Sequence, residues 1–232
     1  MGSLYTQHFA DRGGMVGGRR FELVYQGELA GISNTRPLFA ALVKGLVSSI
    51  SDLGGRDVNI VNATLVARER GIAIDEKHVR DGGTEPAYAS AVTLRSLSTD
   101  QGAGQAGEQV IEGYVSGNAA FISKLDRFRA NFVPEGTLLV LHNYDEPGKI
   151  GNVGMVLGKH GVNINFMQVA ALESEAGQSV GGSYVVDGPV ETEGHAAREA
   201  LMILGVAGDV TEDLLSELGK AEGILHVSLV RL

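Results

Sequence analysis

Apolar and polar positions alternate along this chain in two distinct blocks. In the first block, Phe21–Leu29 alternates well enough for a strand. Thr35 and Pro37 then supply a helix cap and a first-turn proline. Leu38, Leu42, Leu46 and Ile50 follow at helical spacing. A second helix is predicted from about Asn62 to Arg70, stopped by Gly71. Tyr88–Leu97, Gln109–Val115 and Ala119–Leu125 read as strands. The pattern predicts antiparallel strands with helices to one side, an α+β arrangement.

The second block starts near Thr137. It predicts a strand over 138–143, a helix over 147–160 ending at Gly161, and a strand over 162–171. Ile150, Val153 and Leu157 form the helix's apolar stripe, and Val162, Ile164 and Phe166 share one strand face. A strand near Ala200–Val206, a helix near 211–220 and a strand over Ile224–Arg231 complete a βαββαβ order. The polar stretch around 172–197 leaves the third strand open, because Gly182-Ser-Tyr-Val-Val competes for that place.

Composition narrows the function classes. The chain has 232 residues, 44% of them hydrophobic, which supports one large domain or two small ones. There is no cysteine, so disulfides, thiolate metal sites and cysteine nucleophiles are excluded. A formal charge of −9 argues against nucleic acid as a partner. No apolar run is long enough for a membrane span and no signal peptide is visible, so a cytoplasmic location is expected.

The candidate chemistry sits where the second block begins. Asn143, Asp145, Asn163 and Asn165 place short polar side chains beside a helix opened by Pro147-Gly148. A helix start offers unpaired N–H groups and partial positive charge. Asp145 supplies the opposite sign. Such a pair suits a zwitterion, with its acid group on backbone amides at Gly148, Lys149 and Ile150 and its ammonium on Asp145. Lys124, Arg127 and Arg129 form a basic cluster, read either as a solvated strand end or as a candidate anion site.

Other motifs carry less. Gly102-Ala-Gly-Gln-Ala-Gly matches a dinucleotide fingerprint, but a strand pattern follows it where a helix is required, so it reads as a hairpin turn. The six histidines are scattered without metal-ligand spacing. No metal, cofactor or catalytic residue is expected in this chain.

The segment His142-Asn-Tyr-Asp-Glu-Pro-Gly-Lys-Ile-Gly with Gly161-Val-Asn-Ile resembles the ACT domain of D-3-phosphoglycerate dehydrogenases. Asn34-Thr-Arg-Pro-Leu-Phe and Val58-Asn-Ile-Val-Asn-Ala resemble the intervening domain of the long form of that enzyme, and Phe132-Val-Pro-Glu-Gly fits the junction. The resemblance implies residues 1–20 as linker, with Leu4–Phe9 the end of a linker helix, 21–135 as intervening domain and 136–232 as a ferredoxin-like ACT domain. It implies L-serine as feedback effector at Asn143, Asp145 and Asn163, at an interface between two paired copies. It also implies a parent enzyme that uses NAD, whose catalytic and nucleotide-binding domains are outside this stretch. The small subunit of a serine dehydratase is a rival, weakened by the missing Ser-Ser-Ser-His-Thr stretch. A silent assembly module is the other.

Overall fold

The computed structural model describes residues 1–9, 19–48, 50–51, 54–80, 88–97, 109–171 and 199–232. It is a mixed α+β structure built on two sheets. The first contains β1 (Arg20–Gly27), β2 (Ala73–Val79), β3 (Ser90–Leu97), β4 (Gln109–Ser116), β5 (Ala119–Leu125) and β6 (Phe128–Phe132). Their order is β2-β1-β3-β4-β5-β6. All described pairings in this sheet are antiparallel except β1–β2, which runs parallel with Arg20 opposite Ala73. A parallel pair needs a long crossover, and α2 (Arg36–Val47) with α3 (Ala63–Glu69) provides it. This corrects the purely antiparallel expectation.

Two strands were not predicted. β2 is an edge strand of mostly exposed residues, so it has no apolar rhythm to read. β6 follows β5 after a tight turn at Asp126, which has a positive φ of 58°. Its Phe128, Ala130 and Phe132 are buried and alternate with exposed Arg129 and Asn131. The α2 stripe is also only half correct. Leu42 and Leu46 are buried, but Leu38 and Ile50 are exposed. Strict four-residue spacing drifts about 40° per step around a helix of 3.6 residues per turn. The buried face is therefore Ala40, Val43, Leu46 and Val47 with Leu42.

The second sheet contains β7 (Thr137–Tyr144), β8 (Asn163–Ala171), β9 (Glu199–Ala207) and β10 (Ile224–Arg231), in the order β10-β7-β9-β8, with neighbours antiparallel. α4 (Lys149–Lys159) joins β7 to β8, and α5 (Glu212–Lys220) joins β9 to β10. Thr211 caps α5 by accepting from the Leu214 amide at 3.3 Å. Glu217 ties the helices together: His160 Nε2 and Lys159 Nζ both lie 2.8 Å from its carboxylate, and these bonds hold that carboxyl below its ordinary range. The predicted strand over Gly182–Val186, the 172–197 segment, the Gly102–Gly107 turn and His195 lie outside the described residues.

The helix face of the second sheet packs Leu139, Leu141, Met202 and Leu204 against Val153, Leu157, Leu214 and Leu218. The opposite face joins the core of the first sheet, where Leu138, Val140, Leu201 and Ile203 cluster with Leu4, Phe9 and Phe128. Residues 1–20, read as linker, contribute α1 (Gly2–Phe9) to that core; Leu4, Tyr5 and Phe9 are completely buried. The Tyr5 hydroxyl donates to Gln109 Oε1 at 2.5 Å, and the Arg19 guanidinium donates to the same oxygen at 2.8 Å.

α1 crosses α2 where glycine meets glycine. A Cβ on Gly45 would lie 2.7 Å from the Ser3 nitrogen, and one on Gly2 would lie 2.4 Å from the Leu42 oxygen. Both contacts are to backbone, which cannot yield cheaply. Gly45→Ala is expected to cost about 1–3 kcal/mol by crowding. That outweighs the roughly 1 kcal/mol that alanine's helix propensity returns. Urea unfolding should show a lower midpoint; an unchanged or higher one would refute this docking of α1.

Candidate functional site

β7 ends at Tyr144, and Asp145, Glu146 and Pro147 lead to Gly148, which precedes α4 in the left-handed region at φ 88°. Only glycine takes that conformation without strain. Among the described residues, no side chain caps the helix start. Asp145, Gly148 and Ile150 are exposed. Asn143 is 2% exposed; its Nδ2 donates to the Tyr144 carbonyl at 2.8 Å, and its buried Oδ1 has no hydrogen-bond partner among the described residues. A buried acceptor without a bond is costly in the absence of a compensating role.

Lys149 turns away from the helix start. Its Nζ donates to the Glu222 carbonyl at 2.7 Å and lies 3.0 Å from Glu146 Oε2. Asn143, Asp145, Gly148, Lys149 and Ile150 thus share one turn, as the sequence suggested. Asn163 stands apart. β9 separates β8 from β7, and Asn163 lies opposite Ala207 while Asn143 lies opposite Ala200. The two asparagines are at opposite ends of the sheet, roughly 25 Å apart at ordinary strand spacings. Within its own chain, Asn163 Nδ2 donates to Asn165 Oδ1 at 3.1 Å.

The basic residues are also divided. Lys124 lies opposite Arg129 on one side and Glu112 on the other. Arg127 is in the β5–β6 turn and bonds the carboxylate of Glu199, at the start of β9. An anion arriving at Arg127 would have to displace that carboxylate. Glu199 Oε2 also lies 2.9 Å from His142 Nε2, and the His142 ring meets Phe128 edge-on at 5.2 Å. Alternation places His142 on the face opposite Asn143, toward the first sheet. Glu199 was missed because nothing local marks it; its role arises from pairing across the sheet.

The strands flanking the Gly102–Gly107 pattern, β3 and β4, pair antiparallel, with Arg95 opposite Val110. A dinucleotide fingerprint needs a parallel strand leading into a helix.

The family model for the D-3-phosphoglycerate dehydrogenase intervening domain matches residues 1–119. The D-3-phosphoglycerate dehydrogenase of Methanocaldococcus jannaschii is 30% identical over 92% of this chain and 34% of its own length. The enzyme of the same name from Synechocystis is 33% identical over 95% of this chain and 34% of its own length. That from Archaeoglobus fulgidus is 31% identical over 92% and 34%. The chain therefore spans about a third of the length of these relatives, and it belongs to the D-3-phosphoglycerate dehydrogenase family.

Proposed function

We propose that this chain is the regulatory region of a D-3-phosphoglycerate dehydrogenase, with an intervening domain over 21–135 and an ACT domain over 136–232. It binds L-serine as feedback effector and assembles with a second copy. The parent reaction on this reading is NAD-dependent oxidation of 3-phosphoglycerate in serine biosynthesis, carried out by domains outside this stretch. The observation that carries the proposal is the β7–α4 turn, where the exposed Asp145 carboxylate stands beside an uncapped helix start. Those two features suit the ammonium and the carboxylate of one amino acid. The ferredoxin-like reading is supported by the strand order β10-β7-β9-β8 with its two crossover helices.

Pairing is supported by the position of Asn163. A second copy, brought alongside β8, supplies the asparagine that this chain cannot bring to its own turn. On β8 itself, Met167 and Val169 are exposed apolar side chains. Exposed apolar groups gathered near an edge strand suit an interface.

Titration calorimetry tests the site. Asp145→Ala removes a hydrogen bond to a charged group, worth about 1.5–3 kcal/mol, so L-serine should bind roughly 10- to 100-fold more weakly. Equal affinity in wild type and variant would place the site elsewhere.

Asn143 should show the opposite balance between stability and binding. Asn143→Val removes the unpartnered oxygen and suits a strand, which offsets the lost Nδ2 bond to the Tyr144 carbonyl, so the ligand-free protein should be at least as stable as wild type. Serine binding should fall at the same time. A variant less stable than wild type would mean the Asn143 oxygen is satisfied in solution.

Light scattering tests the pairing. Wild type should be dimeric or larger at micromolar concentration. Met167→Glu with Val169→Glu should give a folded monomer that no longer binds serine. Monomeric wild type, or a monomeric double variant with full serine affinity, would remove the interface from the site.

A further inference from the structure

Lys149 sits against two ordinary preferences. Lysine is seldom buried, and a cation at a helix start opposes the dipole. Yet Lys149 is the first residue of α4 and is only 8% exposed. Its ammonium leaves the helix and crosses to the α5–β10 turn, where the Glu222 carbonyl accepts from it at 2.7 Å. Glu146 Oε2 lies 3.0 Å away on its other side.

The path of this side chain runs over Gly223. A Cβ at that position would lie 2.4 Å from Nζ and 2.6 Å from Cε of Lys149. Glycine there is favoured by its φ of 78°, and a Cβ would push the flexible end of the lysine side chain out of its place. The same turn makes a second bond, because the Tyr144 amide donates to the Gly223 carbonyl at 2.9 Å. Both ends of the segment 144–149 are therefore tied to residues 222–223. Between the ties lie Asp145 and Gly148.

We propose that Lys149 is a positioning residue for the amino-acid site: its ammonium, seated over Gly223, fixes the turn that aims Asp145 and the first amides of α4. This rests on the serine-binding reading for the ligand's identity. The side chain touches no ligand. It removes freedom from the turn before binding, and a turn already ordered loses less entropy when the ligand arrives. The position calls for an ammonium because a carbonyl and a carboxylate converge on it from different elements.

The test combines amide hydrogen exchange with serine calorimetry on the full chain. Wild type, Lys149→Met, Gly223→Ala and the double variant are compared. Methionine keeps the unbranched stem and loses the charge. In Lys149→Met, amides of the 144–150 turn should exchange about ten-fold faster or more, since a charged hydrogen bond is lost, and L-serine should bind about ten-fold more weakly. The centres of β7 and β9 should keep their protection. Gly223→Ala should loosen the same turn, because its Cβ displaces the ammonium. The double variant should then be little worse than Gly223→Ala alone.

Several results overturn the proposal. Unchanged turn exchange would do so, as would an even loss of protection that includes β7 and β9. A loosened turn with full serine affinity would show that the strut does not serve the site. Additive effects of the two substitutions would show that Lys149 does not occupy the Gly223 seat. Absence of serine binding in wild type would sink the functional reading alone, and the exchange comparison would still decide the strut.

Discussion

The burial of β7 and β9 on both faces is the constraint on which the rest depends. Leu138–Leu141 and Ala200–Leu204 are essentially inaccessible along their whole length. A strand apolar on both sides has no polar rhythm to hold its register, and a slip of one residue exchanges its faces. A slip in β7 would turn Asn143 toward Phe128 and His142 toward α4. Polar and shape-specific contacts supply what the apolar run lacks. Ser228 donates to the Val140 carbonyl at 3.3 Å, and His8 Nδ1 sits 2.7 Å from the same hydroxyl. His142 faces Glu199 at 2.9 Å. On β9, Gly205 admits the Phe166 ring, which would lie 2.2 Å from any Cβ there. These few contacts decide which polar side chain reaches the turn.

Much of the second sheet was legible from the chain. Predicted and observed boundaries differ by at most two residues for β7, α4, β8, β10 and α5. The reason is local: a Pro-Gly start, glycine stops and clear apolar stripes. The Asn143–Asp145 turn was legible for the same reason. β2 and the parallel pairing were not, because an exposed edge strand is defined by its neighbour rather than by its own side chains; β6 alternates but spans only five residues, too short a run to stand out. Glu199 and the Glu222–Gly223 seat of Lys149 were invisible on similar grounds. Each joins residues far apart in sequence, and neither partner is unusual alone. The helix over Leu4–Phe9 was legible as a helix, but its burial was not, because eight mixed residues carry no strong stripe, although the folded core closes over Leu4, Tyr5 and Phe9.

The turn also shows where local rules give way. An orphaned buried amide oxygen at Asn143 and a buried lysine at a helix start both run against stability. They lie within one short segment. Departures concentrated in this way are expected at a site whose geometry serves a ligand.

The connectivity explains why such a site would be shared between copies. α4 has 11 residues and, at 1.5 Å each, carries the chain back by roughly 16 Å to the end of the sheet where β7 began. β8 must therefore start far from the β7–α4 turn. No side-chain rotation brings Asn163 to Asp145 across that distance. In the proposed pairing, a two-fold axis near β8 supplies the missing half twice, giving two identical sites, each with a turn from one copy and an asparagine from the other. A ligand held by both copies binds the pair more tightly than the separate chains. By mass action it then favours assembly, so effector concentration and oligomeric state become one coupled equilibrium. On the proposed reading, occupancy of the shared site sets how firmly two copies are held together.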